Sequence, residues 1–141
     1  MNIRELQLND YEQYLELIRE FRPTFFTKEQ FEYILQASST YSKIFVLEDN
    51  NKLIATATII YETKFIFNIS KLAHIEDVCV HSNYRKAGYG KKIVQHCIEN
   101  AKKEGAYKIT LDCNSENIPF YTACGFEKRG TQMTILLKEP M

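Results

Sequence analysis

The spacing of apolar positions changes several times along the chain, and each change marks an element. Ile3 to Leu6 is a short extended run. Tyr11, Tyr14, Leu15 and Ile18 then fall at helical spacing behind Asn9 and Asp10 as candidate caps, and Pro23 ends that helix. Thr27 and Gln30 have capping-box spacing ahead of the stripe Phe31, Ile34 and Leu35. Lys43 to Glu48 and Leu53 to Tyr61 read as two strands around the turn cluster Asp49-Asn50-Asn51. Glu62-Thr63 reads as a second turn, with Lys64 to Phe67 continuing extended and Leu72 to His81 forming another strand. Ile93, Val94, Cys97, Ile98 and Ala101 then mark one face of a helix that Gly105 stops. Lys108 to Cys113 is a strand, 119–124 a short helix closed by Gly125, and Thr131 to Leu137 a last strand. The order predicts an α/β (α+β) fold with one mixed sheet and helices on its faces.

Composition narrows this picture. The 141 residues fit one domain, 1–141, and 45% hydrophobic with 26% charged residues argues against disorder. Eighteen basic against eighteen acidic residues give a formal charge of +0, which argues against general nucleic-acid binding. The four cysteines, at 79, 97, 113 and 124, form no C-x-x-C pair and sit among apolar residues, as reduced, buried thiols do. The N-terminal residues are charged from position 4, and no apolar run approaches the roughly 20 residues of a membrane span. The expectation is a cytoplasmic protein with no membrane partner.

The segment richest in chemistry is VCVHSNYRKAGYGKK, residues 78–92. It places R-x-x-G-x-G, Arg85 to Gly90, between a strand and a helix. Glycine lets the backbone approach a ligand closely, and a helix N-terminus offers unpaired N–H groups to an anion. Arg85, Lys86, Lys91 and Lys92 add positive charge. Spacing alone does not separate a phosphate loop from a strand–helix turn with a solvated basic face. A Walker A loop is excluded because Lys92 follows Gly90-Lys91, and a dinucleotide fingerprint because position 93 is Ile93. His74, His81 and His96 lack zinc-helix spacing, so no metal site is expected, and His96 reads as a surface residue.

The loop resembles the acetyl-CoA pyrophosphate loop of the GNAT superfamily of N-acetyltransferases. Together with AHIEDVCV (73–80), GAYKITLDC (105–113), ENIPFYTACGF (116–126) and ATATIIYETKFIF (55–67), the chain resembles the eukaryotic-type glucosamine-6-phosphate N-acetyltransferases. The resemblance implies the GNAT fold, a central mostly antiparallel sheet flanked by helices. It implies acetyl transfer from acetyl-CoA, as co-substrate, to the 2-amino group of glucosamine 6-phosphate, feeding UDP-N-acetylglucosamine synthesis. It also implies a homodimer whose active sites draw on both subunits.

Site residues follow by the same resemblance. Val78, Cys79 and Val80 would hold the thioester and the pantetheine arm; Arg85, Lys86, Ala87, Gly88, Tyr89, Gly90 and Lys91 would hold the pyrophosphate. Tyr121 would serve the departing sulfur, a task suited to a phenol because it is a donor at neutral pH. Asn117 matches a pantetheine contact; an N-cap role would also suit it. Glu76 and Asp77 are adjacent carboxylates in an apolar strand, which alternation sends to opposite faces. The resemblance makes them, with Val78, contacts of the sugar and its amine, counts Glu76 and Asp112 with Tyr121 as catalytic, and gives Asp112 a positioning role, with base work as the alternative. Lys64, Phe65, Ile66 and Phe67, with Tyr107 and Lys108, match positions around the sugar phosphate.

Some positions depart from the family pattern. Phe67 stands where the family carries a histidine, Lys86 where it often has glycine, Phe21-Arg22-Pro23-Thr24 where it has a small Thr/Gly-rich stretch, and Leu136 where it often has arginine. Two other readings remain open at this level: a GNAT enzyme acting on another amine, and a CoA-binding module without catalysis. Retention of Asp77, Asp112 and Tyr121 together argues against the second.

Overall fold

The structure, a computed structural model, describes residues 1–140. The strands are β1 (Asn2–Glu5), β2 (Ser42–Asp49), β3 (Lys52–Lys64), β4 (Ser70–Val80) and β5 (Lys108–Thr110). The helices are α1 (Tyr11–Phe21), α2 (Lys28–Ser38), α3 (Tyr89–Lys103) and α4 (Ile118–Ala123). The strands lie side by side in chain order, β1-β2-β3-β4-β5, antiparallel except for the parallel β4–β5 pair.

The local signals explain most of this. Thr27 and Gln30 exchange side-chain and backbone hydrogen bonds at 3.1 and 2.8 Å, a capping box that starts α2. Asn50 and Asn51 both take left-handed backbone, φ 50° and 64°, and close the β2–β3 hairpin. β3 is covered on both faces, and Leu53 to Ile59 are all buried. On one face Ile54, Ile59, Ala73 and Ile75 pack under Ile93, Val94 and Cys97 of α3. On the other, Val46, Leu53 and Cys79 pack under Tyr14 and Leu17 of α1 and Phe31 of α2.

Five local expectations are corrected. β3 does not turn at Glu62-Thr63, because these residues pair with Leu72 and Lys71; the chain reverses over 65–69, where Phe67, Asn68 and Ile69 are left-handed. β5 stops at Thr110 rather than Cys113, since its ladder with β4 ends at His74–Thr110. Cys113 there is exposed, unlike the other three thiols. Residues 131–137 form no strand, and Met133, Ile135 and Leu137 are 85–91% exposed. His96 is half-buried with its ring edge-on to Phe45 at 4.5 Å, and burial lowers its pKa.

Candidate active site

The site is made by two irregularities in β4. The first is a bulge. Thr58 pairs with Glu76 and Thr56 with Cys79, so Ala57 alone faces both Asp77 and Val78. Asp77 accommodates the extra residue with a left-handed φ of 52°. As a result Glu76 keeps the side of Thr58, and Asp77 lies on that same side, lining a cavity with Thr58. The expectation that alternation parts these two carboxylates is therefore corrected: alternation fails where a bulge adds a residue.

The second irregularity is the parting of β4 and β5 beyond His74 and Thr110. From there the β5-facing peptide groups of β4, at Val78 and Val80, have no strand partner; the Val80 carbonyl accepts from Arg85 Nε at 3.1 Å, and the N–H groups are open to a ligand chain. Asp112 lies two residues past Thr110, on the Glu76 side of the strand line. The charges of Asp77 and Asp112 both reach Glu76; burial first, and then those two charges, raise its pKa above the ordinary glutamate value. Tyr121, on α4, borders the same opening. Burial, with the nearby Cys113, Cys124 and Glu76, pushes its pKa up to about 12. Its hydroxyl makes no hydrogen bond to a protein group among the described residues.

The cavity beside Asp77, about 440 Å³, runs under the α1–α2 connection. Tyr14, Phe21, Arg22 and Thr24 line it together with Thr58 and Asp77. The segment that departs from the family pattern, Phe21 to Thr24, thus forms its wall. Tyr14 was not singled out in the sequence because its helical spacing marks it equally as core.

Beyond β4 the chain makes a 3-10 turn over Ser82–Tyr84 and then the glycine loop. Gly88, φ 87°, is the N-terminal boundary residue of α3, and no side chain caps that helix end. The first N–H groups of α3, from Tyr89, Gly90 and Lys91, therefore point out of the helix without side-chain acceptors. A Cβ at Gly88 would meet nothing within 4 Å, so the space in front of it is open. This arrangement, with Arg85, Lys86, Ala87 and Lys91 all exposed, fits a pyrophosphate. Gly90 has a different reason: a Cβ there would lie 3.2 Å from the Phe120 ring and 3.4 Å from Val80. It lets α3 pack closely against Phe120 of α4, and any Cβ there would have to displace that ring by a few tenths of an ångström. Lys86 holds a left-handed φ of 64° where the family often has glycine. Cys79 turns its thiol to the Leu17 carbonyl at 3.5 Å and its peptide groups toward Thr56 of β3, so it sits between the open groups of Val78 and Val80 without facing the gap itself. The Asn117 side chain makes no cap bond and is exposed, free to reach into the opening.

The remaining sequence-predicted residues gather elsewhere. Lys64 pairs in register with Ser70, and Lys108 with Leu72. Phe67 packs on Tyr107 at 5.1 Å, and the Lys108 ammonium lies 5.7 Å from the Tyr107 ring centre. Lys64 pairs with Glu62 at 3.2 Å. Lys64, Phe65, Ile66, Phe67, Tyr107 and Lys108 thus share one end of the sheet. From Lys64 back to Thr58, the partner of Glu76, is six residues of strand, about 20 Å.

Glu20 is a contributor the sequence did not reveal. It sits on the polar side of α1, and its carboxylate accepts the Ser82 N–H at 2.8 Å. Only tertiary contact marks it out.

Comparison with known proteins agrees with this geometry. The acetyltransferase (GNAT) family model matches residues 10–126. A Dictyostelium discoideum protein named glucosamine 6-phosphate N-acetyltransferase 1 is 38% identical over 99% of this chain and 93% of its own length. The Arabidopsis thaliana glucosamine 6-phosphate N-acetyltransferase is 34% identical over 94% of this chain and 93% of its own. The crystal structure of glucosamine-6-phosphate N-acetyltransferase from Arabidopsis thaliana superposes with a TM-score of 0.92 at 33% identity, covering 97% of this chain and 98% of that one. A bulged strand parting from its parallel neighbour, an uncapped glycine-led helix beside the gap and matching relatives along nearly the whole length lead to one conclusion: the chain belongs to the acetyltransferase (GNAT) family.

Proposed function

We propose that this protein transfers the acetyl group of acetyl-CoA to the 2-amino group of glucosamine 6-phosphate. The carrying observation is the meeting of Glu76, Asp77 and Asp112 on one side of β4 with Tyr121 at the same opening. The sugar phosphate is carried over from the names of relatives that match nearly the whole chain.

Acetyl-CoA supplies the acyl group: the amine nitrogen bonds to the thioester carbon, the C–S bond breaks, and sulfur leaves with the electron pair. The protein's residues handle charge and protons around that exchange. Three carboxylates attract the substrate ammonium. Glu76, with its raised pKa, is the best placed to take the proton that the nitrogen gives up. Backbone N–H groups of the parted β4 edge, at Val78 and Val80, polarise the carbonyl. Tyr121 donates a hydrogen bond to the departing sulfur. Its pKa of about 12 lies above the roughly 8.5 of a simple thiol, so full proton transfer from phenol to thiolate is uphill. Tyr121 therefore acts by stabilising charge. The N–H groups at the start of α3, with Arg85, Lys86 and Lys91, hold the pyrophosphate, and Asn117 the pantetheine arm.

Lys64 to Phe67 lie about 20 Å along the strands from Glu76, and Tyr107 and Lys108, beside Lys71 and Leu72, about 13–17 Å. They serve a sugar phosphate only if they complete the site of a second copy. The exposed apolar arm at Met133, Ile135 and Leu137 supports the same homodimer, since it has no cover within its own chain. The test is acetylation of glucosamine 6-phosphate followed by thiol release, with molar mass measured by light scattering. Turnover by a particle of twice the chain mass supports the reading; absence of turnover with this sugar phosphate, in a protein that binds acetyl-CoA, returns the acceptor to another amine.

A further inference from the structure

Glu20 lies at the C-terminal end of α1, immediately before Phe21 and Arg22, which line the cavity beside Asp77. Its carboxylate, however, is occupied by the start of the glycine loop. It accepts the Ser82 N–H at 2.8 Å and lies 3.3 Å from His81 Nε2 and 3.9 Å from the Arg85 guanidinium. His81 is buried, and its Nδ1 accepts the Asn83 N–H at 3.1 Å, which leaves Nε2 to present its hydrogen to Glu20. Arg85 is fixed a second time through Nε, which donates to the Val80 carbonyl at 3.1 Å. Burial works against ionisation of Glu20, but the Ser82 hydrogen bonds, with His81 and Arg85, hold its pKa below the usual glutamate value. One charged carboxylate thus gathers a backbone amide, an imidazole and a guanidinium from residues 81–85, a segment otherwise held by the His81 N–H on the Ile54 carbonyl at 2.8 Å, by Tyr84 against the core and by its own turn.

We propose that Glu20 is a positioning residue for the acetyl-CoA loop, fixing the Ser82 amide, the His81 ring and the Arg85 side chain so that Arg85 and the N-terminus of α3 meet the pyrophosphate in register. It touches neither substrate. It also joins the connection that walls the acceptor cavity to the loop that holds the donor, so one residue aligns the two halves of the site. An exposed ion pair serving stability alone contributes little, about 0–1 kcal/mol, and has no reason to act on one ligand and spare the other. The proposal rests on reading residues 82–91 as the acetyl-CoA site.

Calorimetric titration of acetyl-CoA into the full chain tests it. Glu20→Ala is expected to weaken acetyl-CoA about tenfold, the scale of one charged hydrogen bond, while the Michaelis constant for the amine stays within about twofold. Glu20→Gln keeps an acceptor for Ser82 and is expected to recover most of the loss. Ser82→Pro removes the same hydrogen bond from the other side without touching α1. Ser82 is exposed, and His81 before it already has φ −53°, ψ 137°, the backbone that precedes proline. It is expected to weaken acetyl-CoA by a similar factor, and the double variant to cost no more than the larger single one. Unchanged acetyl-CoA affinity in Glu20→Ala or Ser82→Pro, or losses that add in full, would overturn the proposal. Gly88→Asp reports separately on the loop: if it too binds acetyl-CoA like the unmodified chain, the loop reading itself fails.

Discussion

Glu76 and Asp77 are consecutive on β4, yet both lie on the side of the sheet that carries Thr58. The bulge opposite Ala57 and the left-handed Asp77 produce this arrangement. A regular strand would bury one carboxylate under α3; the bulge instead sets two beside Asp112 at the opening between β4 and β5. Burial first, and then the charges of Asp77 and Asp112, raise the pKa of Glu76. A group in that condition is poised to accept a proton.

Glu76→Gln is therefore expected to lower kcat by about a hundredfold or more, within the range for losing a general base. The same variant is expected to be more stable at neutral pH. The sign follows from linkage: an acid whose pKa is higher folded than unfolded binds more protons when folded, so stability falls as pH rises through the folded pKa. The gain in Tm should be present at pH 7 and vanish below the ordinary glutamate range, near pH 4. Thermal melts at both pH values check it; a lower Tm at pH 7 would show that Glu76 has a stabilising partner.

Tyr121→Phe removes one donor to the sulfur and leaves the ring contacts with Phe120 and Phe126 in place. It is expected to cost on the order of 3 kcal/mol in the barrier, seen in kcat and not in the acetyl-CoA dissociation constant. Because the phenol titrates only near 12, the rate of the unmodified enzyme should show no alkaline decline from Tyr121 up to pH 10. A decline that the phenylalanine variant abolishes would place the phenol pKa far lower.

Gly88→Asp is expected to abolish acetyl-CoA binding measurable at 100 μM while the protein stays folded. The position is open to solvent, and aspartate is among the residues that tolerate left-handed backbone and cap helices. Its carboxylate then occupies the place of the anion. Gly90 is the poorer probe, because any Cβ there presses on Phe120.

Much of this was legible in the chain, and the failures have physical causes. The capping box of α2, the Asn50-Asn51 turn and the apolar face of α3 are local signals, and each element stands where its signal lies. Glycine spacing marks the run from Arg85 to Gly90, but it separates neither a phosphate loop from a strand–helix turn nor Gly88, which faces open space, from Gly90, which faces Phe120. Alternation misplaces Glu76 and Asp77 because a bulge is a property of two strands, with no mark in one. The apolar alternation of 131–137 looks like a strand, but a strand needs an edge to pair with, and that run lies exposed. Glu20 was invisible because 62 residues separate it from Ser82.

The proposed sharing of sites between two copies makes a prediction about mixtures. Lys108→Ala is expected to raise the Michaelis constant for glucosamine 6-phosphate about tenfold or more, the scale of a lost charged hydrogen bond, and to leave that for acetyl-CoA unchanged. If Lys108 of one copy completes the Glu76 site of the other, unfolding and refolding Lys108→Ala together with Glu76→Gln creates dimers with one intact site. Activity at low substrate should then exceed that of either variant alone. No gain on mixing would mean that Lys108 and Glu76 do not meet across copies.

The most direct measurement of the central claim is the ratio of kcat/KM for glucosamine 6-phosphate to that for glucosamine, taken on the unmodified protein with saturating acetyl-CoA and thiol release as the signal. The account predicts a strong preference for the phosphorylated sugar, about a hundredfold or more, as expected when a dianion loses two charge-assisted partners. Equal rates for the two sugars would contradict it, and would direct attention to the wall formed by Phe21, Arg22 and Thr24 as the part of the site that selects a different amine.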